Sequence, residues 1–244
     1  MRMRFEAEKL MPRSEQMSVP LLRLLAATND VILLQKLVII SRARSERANE
    51  YEKDVLNGEL GYFVRMLCGH LYEAGIAFRA LDAAYGDQID KLMATDTAAR
   101  HAFQALRDVY QDRSDTGFDR GVLGPIRNLA GFHYKEQTFS EGLEALRGRG
   151  EIVLSEHIGF TRYVITDDIM TRKAWESLGG TDEYREAVGK AFALADELAI
   201  AVTHLLKHRL DIGGVRVEET HGTIPIPPEI LETRQNIDAE RKML

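Results

Sequence analysis

Residues 31–55, VILLQKLVIISRARSERANEYEKDV, set the fold class. Leu33, Leu34, Leu37, Val38 and Ile40 recur at helical spacing, and Thr28-Asn29-Asp30 just upstream supply side chains able to cap a helix. From Arg42 onward the pattern turns polar. The helix is therefore expected to begin in a core and to end as a solvated or partner-facing rod, with Asn57-Gly58 as its stop.

Working outward, the same period continues. A second helix is predicted from about Glu59 to Ala84, with Phe63, Leu67, His70, Leu71, Ala74 and Phe78 along one stripe, broken by Tyr85-Gly86-Asp87. A third follows Thr95-Asp96 and runs to Gln111, turning Ala99, Phe103, Leu106 and Tyr110 inward. Asp112 to Asp119 reads as a polar loop. Gly124-Pro125 then opens a short helix ending near Lys135, proline being suited to the first helical position. Phe139 to Leu146 is helical. Glu151–Glu156 and Thr161–Thr166 are β-rich and read as a hairpin. Helical spacing resumes at Asp167 and again from Asp182 to about Arg209. Gly213-Gly214 and Ile224 to Pro228 mark a linker into a last amphipathic stretch, Glu229 to Leu244. The expected fold is all-α, a helical bundle of long antiparallel helices with one small β-hairpin insertion at about 151–166 and a C-terminal helical tail.

Composition bounds the function. The 244 residues carry 32 Lys+Arg against 38 Asp+Glu, a net charge of −6, and 45% of them are hydrophobic, as in a folded globular chain. This balance excludes a generally basic coat for nucleic acid but leaves room for a local basic cleft. No uninterrupted apolar run reaches the roughly 18 residues of a membrane span, Gln35 and Lys36 interrupting the longest, and residues 1–13 lack the apolar stretch of a signal peptide. A cytoplasmic protein without a membrane partner is expected. The single cysteine, Cys68, excludes an intrachain disulfide and a Cys-rich zinc site, and its place on the Leu67–Leu71 side reads as a buried, inert thiol. No phosphate-binding glycine loop, nucleophile elbow or HExxH zinc motif is present.

The densest set of chemically able residues is Gly124-Pro125-Ile126-Arg127-Asn128-Leu129-Ala130-Gly131-Phe132-His133-Tyr134. Arg-to-His spacings of this kind also occur at Arg65/His70 and Arg216/His221. Only at Arg127/His133 does Asn follow the Arg, a Pro start the helix, and aromatics flank the His. In these residues the chain resembles the HEPN superfamily (higher eukaryotes and prokaryotes nucleotide-binding), whose members carry an Arg, often a polar neighbour, and a His a few residues on. The resemblance covers about a dozen residues. It implies a four- or five-helix, usually dimeric domain that is either a metal-independent endoribonuclease or a relative that only binds nucleic acid or protein.

The chemistry suits the residue types. Internal cleavage of RNA needs a base for the 2′-OH proton, and neutral His is poised for it near pH 7. Arg offers a planar fork to the charge building on the phosphate. In this reading His133 is the general acid/base, Arg127 stabilises the phosphate and Asn128 orients one of them, with no cofactor and no metal. Glu73 and Tyr134 are supporting residues, and Arg42, Arg44, Arg47, Arg120 and Lys135 are candidates for the RNA backbone. Six helical steps set Arg127 and His133 roughly 120° apart, so a groove, completed in a homodimer, has to present both.

Other readings of the same residues stay open. His133 lines up with Ile126 and Ala130 and could be a core or interface histidine, and Arg127 could simply ion-pair with Glu73. The cluster Arg42, Arg44 and Arg47, with Glu46, Glu50 and Glu52 nearby, could be a solvated face. His204 and His208, one turn apart, could hold a metal, or could answer the dipole of a helix C-terminus. The chain divides into one helical domain over 1–212 (HEPN-like core about 29–147, hairpin and further helices 151–212) and a linker with tail at 213–244. The rival functions are a non-catalytic dimerisation or protein-interaction module, docking a protein partner through the C-terminal tail, and a metal-dependent helical enzyme.

Overall fold

A computed structural model describes residues 2–4, 7–12, 14–130, 140–141, 164–212, 218–220 and 235. The described residues are all-α apart from one short ribbon. In order come β1 (Arg2–Arg4), α1 (Ala7–Leu10), α2 (Ser18–Ser45), α3 (Glu50–Leu92), α4 (Thr97–Tyr110), a π-helical segment (Phe118–Leu123), α5 (Gly124–Ala130), α6 (Val164–Leu178), α7 (Thr181–Ile212) and β2 (Glu218–Thr220). Strand β1 pairs antiparallel with β2, Met3 facing Glu219, so the two ends of the helical array are stitched together.

The long helices alternate in direction. Pairings between α2 and α3 step backward along one helix as they step forward along the other: Ser41 Oγ to the Leu56 carbonyl, Asp30 to His70. Arg107 of α4 forks onto Asp82 and reaches Asp90 of α3 at 2.9 Å, while Tyr110 returns to the Leu71 carbonyl. Helix α7 runs against α2, Gln35 Nε2 donating to Asp196 at 2.8 Å midway along α7 and Arg209, near its C-terminal end, reaching the Leu10 carbonyl just ahead of α2. All four meet in one core, where Leu21, Leu24, Val31, Leu67, Leu71, Phe78, Leu106, Phe192, Leu198 and Leu205 are sealed from solvent.

Several expected boundaries moved, each for a tertiary reason. Helix α2 does not begin after Thr28-Asn29-Asp30 but runs through them from Ser18, and Thr28 Oγ1 donates back to the Leu24 carbonyl at 2.7 Å instead of capping. The break falls at 46–49, where Asn49 and Glu52 form a reciprocal capping box for α3. Asn57-Gly58 and Tyr85-Gly86-Asp87 do not end a helix; α3 passes through both. Gly86 serves packing instead of a turn, because a Cβ there would sit 3.0 Å from Asp82 Oδ1 and 3.4 Å from Arg107 Nη2, crowding the ion pair that joins α3 to α4. Asp119 is not part of a polar loop: it is buried in the π-helical segment. The proposed hairpin lies outside the described residues except for Val164, Ile165 and Thr166, which open α6; the helix propensity of β-branched residues is only slightly lowered, so they do not bar a helix here.

Other boundaries agree with the sequence where they fall on described residues; the expected helix end near Lys135, the helix Phe139 to Leu146 except for residues 140–141, and the tail Glu229 to Leu244 except for residue 235 lie outside them. Asp96 caps α4 by accepting from the Ala99 N–H at 3.0 Å, its four predicted inward residues are all buried, and Gly124-Pro125 opens α5. Helix α2 is longer than the apolar run read from sequence, and its most apolar 18-residue window has mean hydropathy 1.6, enough by length and composition to cross a membrane. Its inward face is nevertheless the core of this fold, and Gln35, which interrupts the run, is buried and hydrogen-bonded to α7.

Cys68 is fully buried, and burial pushes its thiol up to about 12. An aromatic disulfide reagent at pH 8 is expected to leave the native thiol unmodified and to titrate one thiol after denaturation; rapid native reaction would show that α3 opens locally.

Candidate functional site

Helices α3 and α5 build the site. On α3, Gly69, Tyr72 and Glu73 lie within about one turn of each other and face α5. The stem of Arg127 packs on this turn of α3: a Cβ at Gly69 would meet Arg127 Cγ at 3.9 Å, an ordinary van der Waals contact. The guanidinium then sits 5.5 Å over the Tyr72 ring and donates from Nη2 to Glu73 Oε1 at 2.8 Å. Its Nη1 donates to Asn128 Oδ1 at 3.3 Å. The Arg127 and Glu73 side chains are 45% and 49% exposed, so this pair is worth no more than about 1 kcal/mol, and an incoming anion can compete for the guanidinium. Ile126, the neighbour of Arg127, is fully buried and anchors the helix.

Of the residues singled out from sequence, Arg127, Asn128 and Glu73 are brought together. His133, Tyr134 and Lys135 lie outside the described residues. Arg42 and Arg44 are not part of this cluster. Arg42 pairs with Glu46 and Arg44 approaches Glu59, whereas Tyr72 is 13 residues further along α3 than Glu59, a rise of about 20 Å. Arg47 belongs to the same turn after α2.

Arg120 does reach the site, through a cavity of about 200 Å³ lined by Tyr72, Arg79, Tyr110, Asp112, Arg113, Asp119 and Arg120. Tyr72 is thus shared, with Arg127 over its ring and the cavity beside it. At the wall, Arg79 Nη1 donates to Asp119 Oδ2 at 2.6 Å and to the Tyr110 carbonyl at 3.2 Å. The Asp119 side chain is only 4% exposed, and its Oδ1 has no hydrogen-bond partner among the described residues. Burial raises the Asp119 carboxyl above the ordinary carboxylate range, against the pull of Arg79. Arg120 Nη1 donates to the Arg113 carbonyl at 3.0 Å, and both side chains stand exposed at the rim.

Arg79, Arg113 and Asp119 were not singled out from sequence. Two signals existed. Arg79 interrupts the apolar run IAFRALDAA, and Asp119 sits among Phe118, Val122 and Leu123 in a segment that folds as a π-helix, a form frequent at functional sites.

The histidine pair forms a separate feature. His204 Nδ1 and His208 Nε2 lie 2.6 and 3.1 Å from the same atom, Asp96 Oδ2. With the Ala99 N–H on its other oxygen, Asp96 is held well below the usual carboxylate range, first by that backbone donor and then by His204. Among the described residues no group of three or more His, Cys, Asp or Glu is disposed to hold a metal ion. A depressed folded-state pKa gives stability that is present above the unfolded carboxylate value near 4 and lost as pH falls through the folded one. Asp96→Ala is therefore expected to lower Tm by several degrees at pH 7 and to lose most of that difference below about pH 3; thermal melts across pH read both.

No family model, curated protein or solved structure matches the chain.

Proposed function

We propose that this all-α protein is a HEPN-like, metal-independent endoribonuclease or an RNA-binding relative, working as a cytoplasmic homodimer of bundled antiparallel helices. The observation that carries the reading is the exposed Arg127 guanidinium, held by Glu73, Asn128 and the Tyr72 ring beside an arginine-rimmed cavity. That arrangement presents a fixed planar donor to a phosphate at low cost, since the ion pair it replaces is exposed. In the reaction His133 takes the 2′-OH proton, the 2′-oxygen attacks phosphorus, and the 5′-oxygen leaves with a proton returned to it. Arg127 holds the charge that builds on the non-bridging oxygens, and Asn128 keeps the guanidinium in register.

The second reading, a non-catalytic interaction module, draws on α2. Val19, Leu22 and Leu33 form one stripe there and are 65%, 50% and 54% exposed, a surface suited to a second copy of the chain.

The test is incubation of the purified protein with structured and unstructured RNA in EDTA, with light scattering for the assembly. Cleavage that survives chelation and falls at least about 100-fold in both Arg127→Ala and His133→Ala supports the nuclease. RNA binding that is lost in Arg127→Ala without any cleavage supports the binding relative. A protein that dimerises but neither binds nor cuts RNA is the interaction module.

A further inference from the structure

Beside the Arg127 cluster lies a cavity whose polar groups, Arg120 apart, none of the roles above uses. Its volume of about 200 Å³ falls below the roughly 300–1,000 Å³ of sites for whole drug-sized ligands, so it takes one ring or one small head group. Its wall offers unlike groups side by side. Arg79 brings a guanidinium of which, among the described residues, only Nη1 is committed, and Asp119 brings a carboxylate oxygen with no partner among them. Adjacent donor and acceptor groups are what the edge of a nucleobase presents in complement. A buried acceptor left without a donor is costly, and such groups in native proteins call for a partner. The carboxyl torsion of Asp is soft, so a modest turn brings Oδ1 to a ligand in the cavity. Tyr72 supplies an aromatic wall, and the exposed Arg113 and Arg120 stand at the rim where a phosphate leaves the cavity.

We propose that this cavity receives a single nucleobase of an RNA strand, Asp119 accepting an N–H of the base edge beside Arg79, with Arg113 and Arg120 holding the adjoining phosphate. The inference rests on the RNA reading of Arg127 and adds to it a means of choosing the nucleotide next to the phosphate. Asp119 and Arg79 give selectivity among bases, whereas Arg113 and Arg120 give affinity without selectivity.

Fluorescence anisotropy with labelled homo-oligonucleotides of A, C, G and U, competed with the four 5′-mononucleotides, tests it. The wild-type chain is expected to prefer one base. Asp119→Asn, which keeps the shape but replaces the acceptor by an amide, is expected to weaken that base by at least about 10-fold and to flatten or change the preference. Arg113→Ala/Arg120→Ala, confined to exposed side chains, is expected to weaken all four oligonucleotides alike and to make binding less dependent on salt. Circular dichroism confirms folding of each variant. RNA binding that needs Arg127 but keeps its base preference in Asp119→Asn overturns the base pocket and leaves the RNA reading standing. Mononucleotides that bind in an Asp119-dependent way to a protein that takes no oligonucleotide overturn the RNA reading and keep the pocket. Absence of binding in both arms, or rim variants that bind as wild type, overturns the assignment.

Discussion

Tyr110→Ala is expected to lower stability by about 3–5 kcal/mol, with the loss read from urea unfolding curves. The ring is fully buried, packs on Phe78 with centroids 5.7 Å apart, and its hydroxyl donates to the Leu71 carbonyl at 2.9 Å. It lies directly on the backbone of α3. A Cβ added at Gly75 would stand 2.5 Å from ring carbons Cδ1 and Cε1, closer than packed atoms come. Gly75→Ala therefore sets two effects against each other. Alanine gains about 1 kcal/mol of helix propensity over glycine, while overpacking a fixed ring costs about 3 kcal/mol, the upper end for such insertions. The clash wins, for a net loss of about 2 kcal/mol. In a Tyr110→Ala background the same Gly75→Ala is expected to become neutral or stabilising, because only the propensity gain remains. A double-mutant cycle measures that reversal. Equal costs in the two backgrounds would mean that the ring is not what excludes a side chain at residue 75.

Arg79→Ala is the other large effect. It leaves the Asp119 carboxylate buried without the one cationic hydrogen-bond donor it has among the described residues, a situation that costs about 3–5 kcal/mol in buried pairs. With the Arg79 side chain itself 26% exposed, about 3 kcal/mol is expected at pH 8. The pH dependence has a definite sign. The Asp119 carboxyl is raised by burial even beside Arg79, and removing the cation raises it further. A raised folded-state pKa contributes stability that is full below the unfolded carboxylate value and is lost as pH rises through the folded one. The destabilisation of Arg79→Ala should thus shrink between pH 8 and pH 5, as the carboxyl takes up a proton and ceases to need a partner. Unfolding curves at the two pH values check this. A cost independent of pH would show that lost packing of the Arg79 stem, not the stranded charge, is responsible.

Much of the secondary structure was legible because its causes are local. Asp96 caps α4 by a bond to a residue three positions on, and the inward stripe Ala99, Phe103, Leu106, Tyr110 repeats every three to four residues. The start of α5 at Gly124-Pro125 has the same local character. Where local signals failed, a distant neighbour had intervened. Asn57-Gly58 and Tyr85-Gly86-Asp87 have turn chemistry, yet α3 continues through them with Asn57 accepting from Ser45 of α2 and Gly86 making room for Arg107 of α4. Of the site, Arg127 with Asn128 and its Glu73 partner were named from sequence. The Arg79–Asp119 pair was not, since its members stand 40 residues apart and no short-range pattern links them.

By itself, then, the order of residues determined that this chain is helical, which face of α4 points inward, that Cys68 is an unreactive core thiol, and that Arg127 lies on a short proline-started helix. Only the tertiary structure decided where α2 and α3 begin and end, that Tyr72 is shared between Arg127 and a polar cavity, and that a carboxylate lies stranded beside it. Periodicity and capping act over three or four residues and can be read along the chain. Ion pairs, cavities and unsatisfied buried groups arise between segments brought together by folding, and come into being only once the helices have packed.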